Sequence, residues 1–150
     1  MKKYIYVASC CILFATSGCT SLQERLAIRK CKFALVQVEV QKFTFSDITL
    51  GLHIAITNPN TIDVKIDKMD FALYIENKKT INGSLNPVVI PSKNIKTVVA
   101  SLVVPFSIIG MTIIEDVQNR SKIIYQLVGT VYINTRSGVL SFPVTISSND

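Results

Sequence analysis

The patterning of this chain predicts an all-β fold with one short helix, an antiparallel two-sheet sandwich of immunoglobulin/fibronectin type III-like kind. Three observations carry that expectation. Apolar residues recur at every second position in segment after segment between Phe33 and Ile146, the spacing of strands with one face in a core and one in water. The connections between segments are too short for repeated crossover helices, so neighbouring strands pair antiparallel. About seven short strands in roughly 115 residues suit two sheets packed face to face.

The chain opens on a different pattern. Lys2 and Lys3 precede an apolar run from Tyr4 to Ala15, followed by Thr16, Ser17, Gly18 and then Cys19. A positive start, a short apolar stretch and a small-residue exit make a secretory signal peptide, and the cysteine directly after the exit makes it a lipoprotein signal over residues 1–18. The run is too short to span a bilayer, which needs about 20 apolar residues. Cys19 is therefore expected to be the first mature residue and to carry the lipid. Three acyl chains at about 0.8 kcal/mol per buried methylene would make the anchor permanent. Residues 19–32 read as a lipidated polar tether, and residues 33–150 as the folded domain.

Within that domain Val36, Val38 and Val40 alternate with Gln37, Glu39 and Gln41, and Ile48, Leu50, Leu52, Ile54 and Ile56 form a second stripe. Asn58-Pro59-Asn60 separates this strand from Ile62, Val64 and Ile66. Phe71, Leu73 and Ile75 come next, and a turn over Asn77-Lys78-Lys79 leads into Ile81–Leu85. Pro87 and Pro91 bracket Val88–Ile90, and Val98, Ala100, Leu102, Val104 and Phe106 face one way. Ile109, Ile113, Ile114 and Val117 then recur at helical spacing up to Asn119, which is the predicted short amphipathic helix. Ile123–Asn134 and Val139–Ile146 close the chain as a hairpin with a bulged or longer loop at Thr135-Arg136-Ser137-Gly138.

Charge and cysteine usage narrow the function. Of 16 Lys and Arg, two lie in the signal and four more (Arg25, Arg29, Lys30, Lys32) precede Phe33, leaving 10 against nine Asp and Glu in the domain. A near-neutral domain lacks the basic face that nucleic-acid binding requires. The basic cluster is either a solvated tether or a contact for anionic headgroups, where each charge adds about 1 kcal/mol. With Cys10 and Cys11 in the signal and Cys19 lipidated, Cys31 is the remaining cysteine and no internal disulfide forms.

The order and spacing of several elements give the chain a family likeness. Ile54-Ala55-Ile56-Thr57-Asn58-Pro59-Asn60 is followed by Ile66–Leu73, Gly83, Ile90-Pro91, Val104-Pro105, Tyr125-Gln126-Leu127-Val128-Gly129, and Gly138 with Phe142-Pro143-Val144. From about Phe33 to Ser147 this resembles the type 2 late embryogenesis abundant (LEA) family, also called the water stress and hypersensitive response (WHy) domain. The resemblance implies a sandwich fold, a link to desiccation and other stress, and no established enzymatic activity. By similarity to Gram-negative lipoproteins, Thr20 in place of aspartate after the cysteine points to the outer membrane, if the host has one.

Turn chemistry accounts for Asn58-Pro59-Asn60 without the family. Proline cannot donate to a ladder and holds its predecessor extended, so Asn58 ends a strand and Pro59 opens a turn. The asparagine side chains bond nearby backbone amides, and Asn60 tolerates a left-handed conformation. The motif is read as structural.

No catalytic constellation is evident. His53 is the single histidine and sits in an alternating strand in phase with Gly51, Ala55 and Thr57, a solvent-facing position,. Asp63, Asp67 and Asp70 interleave with Lys65 and Lys68 and read as a solvated face rather than a calcium site, so no metal and no cofactor is expected. Glu115 and Asp116 are adjacent on the expected helix and point apart. Two functional readings stand. One is a monomeric, non-catalytic envelope protein with a protective or binding role in desiccation, osmotic or envelope stress. The other is an apolar-ligand (lipid) binding or transfer module, with a cavity between the sheets or under the Ile109–Val117 helix. The membrane, through the N-terminal lipid, and possible envelope proteins or lipids are the expected partners.

Overall fold

The computed structural model describes residues 27–109, 123–135 and 138–148. The signal, Cys19 and the helix expected up to Asn119 lie outside these residues, apart from Ile109 at that helix's start. Nine strands are present among the described residues: β1 (Lys32–Phe43), β2 (Asp47–Asn58), β3 (Val64–Ile66), β4 (Lys68–Ile75), β5 (Lys78–Leu85), β6 (Val88–Ile90), β7 (Asn94–Pro105), β8 (Tyr125–Thr135) and β9 (Gly138–Ser147). A short helix, α1 (Phe106–Ile109), comes directly after β7, so Phe106 leaves the strand in which the alternation placed it.

All pairings are antiparallel. One sheet has the order β1-β2-β7, the facing one β5-β4-β8-β9, and β3 pairs with β6 as a separate two-stranded ribbon. The excess over seven strands comes from β3 and β6, each three residues long.

The core lies where the alternation puts it on the central strands. Ile48, Leu50, Leu52, Ile54 and Ile56 of β2 are buried with Met69, Phe71, Leu73 and Ile75 of β4, Ala100, Leu102 and Val104 of β7, and Leu127 and Val131 of β8. Each fully buried side chain of this size contributes about 1.5–3 kcal/mol relative to exposure. Phe71 lies opposite a glycine on each neighbouring strand, Gly83 of β5 and Gly129 of β8. A methyl group at Gly129 would overlap the carbonyl oxygen of Asp70, and one at Gly83 would stand 2.7 Å from the Phe71 ring, so both positions let the phenylalanine close over the backbone,.

The edge strand β1 departs from expectation. Val36 and Gln41 are extra residues at two bulges, after Leu35 and after Val40, and each bulge shifts the phase of the residues beyond it. Leu35 is consequently the buried residue, Val38 is half-buried, and Val36 and Val40 are 58% and 41% exposed. Two turns also differ. β4 and β5 are joined through Glu76 and Asn77, both at positive φ (49° and 65°) as in a type I′ turn, one step before the turn that composition suggests,. Glutamate is an unusual occupant there, and its carboxylate accepts a 2.7 Å bond from the Ile124 amide. β8 and β9 pair from Thr135 to Gly138, which makes their connection shorter than the bulged loop expected.

Packing reaches back into the stretch read as tether. Residues 27–30 are helical, and Ala27 and Ile28 are each 3% exposed within the main core. The folded unit therefore takes in residues ahead of Phe33.

Candidate functional site

The Asn-Pro-Asn motif sits where three segments converge: the end of β2, the turn between β6 and β7, and residues 27–31. Asn58 is 1% exposed, one of two buried polar side chains among the described residues. Its Nδ2 donates to the carbonyls of Ile62 (2.9 Å), Pro91 (3.0 Å) and Ile90 (3.1 Å). Two N–H groups thus serve three acceptors. Its Oδ1 accepts from the amide of Asn60 (3.0 Å) and from Asn60 Nδ2 (2.8 Å). Only an amide side chain of this length offers donors to the carbonyls and an acceptor to the turn beyond it; aspartate would present a second acceptor to three carbonyl oxygens.

Asn60 extends the lock to the N-terminal segment, its Nδ2 donating to the Ala27 carbonyl at 2.7 Å. That carbonyl also accepts a long bond from Cys31 Sγ (3.6 Å), and burial pushes the Cys31 thiol above its ordinary range. From the other side Lys93 donates its backbone amide to Asn60 O (2.9 Å) and its Nζ to Pro59 O (2.7 Å). The left-handed residue of this junction is Lys93, at φ 55°, and not Asn60. Turn chemistry, with side chains bonding nearby amides, accounts for only part of the arrangement, because most of the bonds made by Asn58 go to carbonyls. The signals that point to the partners are Ile90-Pro91, whose proline leaves no ladder continuing beyond it, and the apolar Ala27-Ile28 pair inside a polar stretch.

The other candidate residues lie apart from this junction. His53 is on the outer face of β2, half-buried, with Nε2 3.0 Å from Glu39 Oε1. That contact with His53, with a smaller contribution from Gln41, holds the Glu39 carboxyl below its usual range. Gln41 covers Gly51 and accepts a bond from Ser101 Oγ at 2.8 Å. This is a chain of paired surface groups, with no nucleophile among the described residues placed against the imidazole.

The three aspartates have separate partners: Asp63 accepts from the Ser92 amide, Asp67 from Lys65 and the Asn134 amide, and Asp70 from Lys68. The Lys65 ammonium holds the Asp67 carboxyl below its usual range, and Asp70 raises that of Lys68. Among the described residues no group of three or more His, Cys, Asp and Glu could hold a metal ion, and no helix is long and apolar enough to cross a membrane. Cys19, Glu115 and Asp116 lie outside the described residues.

The sandwich has counterparts among solved structures. The chain superposes on a protein from Archaeoglobus fulgidus at a TM-score of 0.52 with 15% identity, over 78% of this chain and 94% of that one. It superposes on a protein from Arabidopsis thaliana at 0.58 with 19% identity, over 77% of each chain. A protein described as late embryogenesis abundant is similar at 0.51 with 16% identity, over 84% of this chain and 73% of that one. At these identities the likeness defines the fold. Residues 53–150 match the LEA_2 family, late embryogenesis abundant protein, and the chain belongs to that family. Among curated proteins, none matches the chain.

Proposed function

We propose that this LEA type 2 protein is a non-catalytic, lipid-anchored component of the cell envelope with a protective or binding role in desiccation, osmotic or envelope stress. The observation that carries the anchor is Ser17-Gly18-Cys19 at the exit of a signal-peptide pattern,. Two further features support a role without turnover. His53 is engaged by Glu39 and faces no nucleophile among the described residues. The inter-sheet residues Ile48, Leu52, Ile54, Ile56, Met69 and Leu73 are fully buried, as in a closely packed core. The outer membrane is the proposed location in a Gram-negative host.

The test is Cys19→Ser in the natural host. It should abolish incorporation of labelled palmitate, release the protein from membranes or stall its processing, and reproduce the drying and osmotic sensitivity of a deletion strain. Unchanged membrane attachment ends the anchored reading, and full rescue by the unlipidated protein ends the requirement for proximity.

One observation favours a second reading, an apolar-ligand module. Between β1 and β9 an opening of about 320 Å³ is lined by Ile28, Phe33, Val131, Phe142, Pro143 and Val144, with Arg29, Cys31 and Ser141 among them. Native mass spectrometry of protein extracted from its own membrane decides this. A co-purifying lipid that is lost on Val144→Trp supports the module, and ligand-free protein removes it.

A further inference from the structure

The junction that locks residues 27–31 also sets which end of the sandwich meets the membrane. Seven residues lie between Cys19 and Ala27, so the eight steps from one to the other span at most about 28 Å when fully extended. The twelve-residue strands β1, β2 and β7 are about 40 Å long,. A tether shorter than the sandwich, entering beside Asn60, keeps the Asn58 end close to the surface in which Cys19 is embedded.

That end also carries the larger share of the exposed positive charge without an ion pair among the described residues, five side chains against Lys42, Lys78 and Lys79 elsewhere. Arg29, Lys30, Lys32, Lys93 and Lys96 are all exposed, and among the described residues none has a carboxylate within ion-pair distance. Lys32 lies opposite Thr57 and Lys96 opposite Ile56, one and two residues from Asn58. The carboxylates at this end, Asp63 and Asp67, are already engaged by Ser92, Lys65 and Asn134. A depression of about 330 Å³ is lined by Lys30 and Lys93 together with Ala27, Pro59, Asn60, Thr61 and Ile62, and Lys93 Nζ donates to the Pro59 carbonyl. The size and the two flanking ammonium groups suit a phosphate headgroup.

We infer that the Asn58 end is a docking face for anionic phospholipid, seating a headgroup phosphate between Lys30 and Lys93, with Arg29, Lys32 and Lys96 against the surrounding surface. The inference rests on the Cys19 anchor for its geometry, and on the charge distribution for its chemistry. Domain orientation on the membrane is then fixed, with the Phe45 end pointing away.

The experiment uses the lipidated full chain in two kinds of vesicle, phosphatidylcholine alone and phosphatidylcholine with about 30% phosphatidylglycerol, a content that supplies a negative surface potential. Hydrogen exchange is measured at the backbone amides of residues 60–62 and 92–96. In the anionic vesicles these amides should exchange several-fold more slowly than in neutral ones, while those of residues 44–47 and 76–79 do not change. The triple variant Lys30→Glu, Lys32→Glu, Lys96→Glu should remove the difference. Lys42→Glu, Lys78→Glu, Lys79→Glu, an equal charge change away from the Asn58 end, should keep it. With Cys19→Ser, sedimentation with anionic vesicles alone should fall by at least about fivefold for each proximal charge reversed.

Retention on neutral vesicles reports the anchor separately, so a failure there overturns the lipidation and leaves the sedimentation result to decide the face. Equal exchange in both vesicles, protection at residues 44–47 instead, or equal effects of the two triple variants overturns the docking face.

Discussion

At the Asn58 end, one buried amide side chain gathers three carbonyls and a backbone amide, and Asn60 adds the Ala27 carbonyl. At the opposite end of the β1-β2-β7 sheet the corresponding space is held mainly by apolar contact. The Phe43 and Phe106 rings pack with centroids 5.2 Å apart, tilted by 44°, and Phe45 at the tip of the β1–β2 connection is fully exposed. The Thr44–Asp47 turn closes through its own short bonds, and Ser46 O accepts from the Phe106 amide. The β1-β2-β7 sheet is thus fixed directionally at one end and mainly by non-directional packing at the other, while at that other end the facing sheet keeps a directional bond from the Ile124 amide to Glu76. A polar lock fails as a unit when one member is lost, because its partners stay buried and unpaired, whereas an apolar contact weakens in proportion to the area removed.

Asn58→Ala tests this contrast most directly. It strands three carbonyls and the Asn60 amide, and should cost about 4 kcal/mol, read as the shift in urea midpoint at unchanged slope. A loss below about 1 kcal/mol would place the lock among ordinary surface turns.

Asn60→Ala removes the bond to Ala27 and should cost about 1–2 kcal/mol. Its sharper readout is local: the Cys31 thiol, protected by burial, should react with iodoacetamide several-fold faster while β4 and β8 amides keep their protection. Unchanged reactivity would mean that residues 27–31 stay docked without Asn60.

The β8 strand has a pH test. Burial, with the Glu76 carboxylate adding to it, pushes the Tyr125 phenol up to about 12. The unfolded chain ionises near 10, so the folded state holds the proton longer and stability falls as pH rises through about 10 to about 12. The loss should be about 1–2 kcal/mol after allowance for the exposed part of the ring, and Tyr125→Phe should flatten the alkaline limb of a thermal unfolding series.

The smallest effects are expected at the aromatic tip. Phe106→Ala should cost about 1 kcal/mol through the lost ring contact, and Phe45→Ala less than about 0.5 kcal/mol. A cost at Phe45 comparable to that at Asn60 would erase the contrast between the two ends.

Much of the fold is legible in the order of residues because β2 and β4 pair on both sides and β7 keeps an unbroken register with β2, so period two survives there without interruption. Ile54, Phe71 and Leu102 are buried as their spacing predicts. β1 is not legible in the same way. Each bulge adds a residue that breaks phase, and nothing in Leu35-Val36-Gln37 says which valine or leucine turns inward. The lock is half legible. Proline and two asparagines announce a turn, but their distant acceptors at Ile90 and Pro91 depend on how β6 returns to β2, which is a property of topology. Ala27 and Ile28 are hidden by the charged residues around them.

The two bulges of β1 have a further meaning for the behaviour of many copies at once. A twelve-residue edge strand offers a template on which another chain could add, and stacked cross-β assemblies need about six or seven residues in unbroken register. In β1 the register is divided into Lys32–Leu35, Gln37–Val40 and Lys42–Phe43, none longer than four residues, and each piece carries a charged side chain, Lys32, Glu39 and Lys42 in turn. Concentration rises sharply as water is withdrawn. An edge cut into short, charged pieces is a poor template for a crowded neighbour, whereas β7, at the other side of the same sheet, keeps its register with β2 over twelve residues without a break.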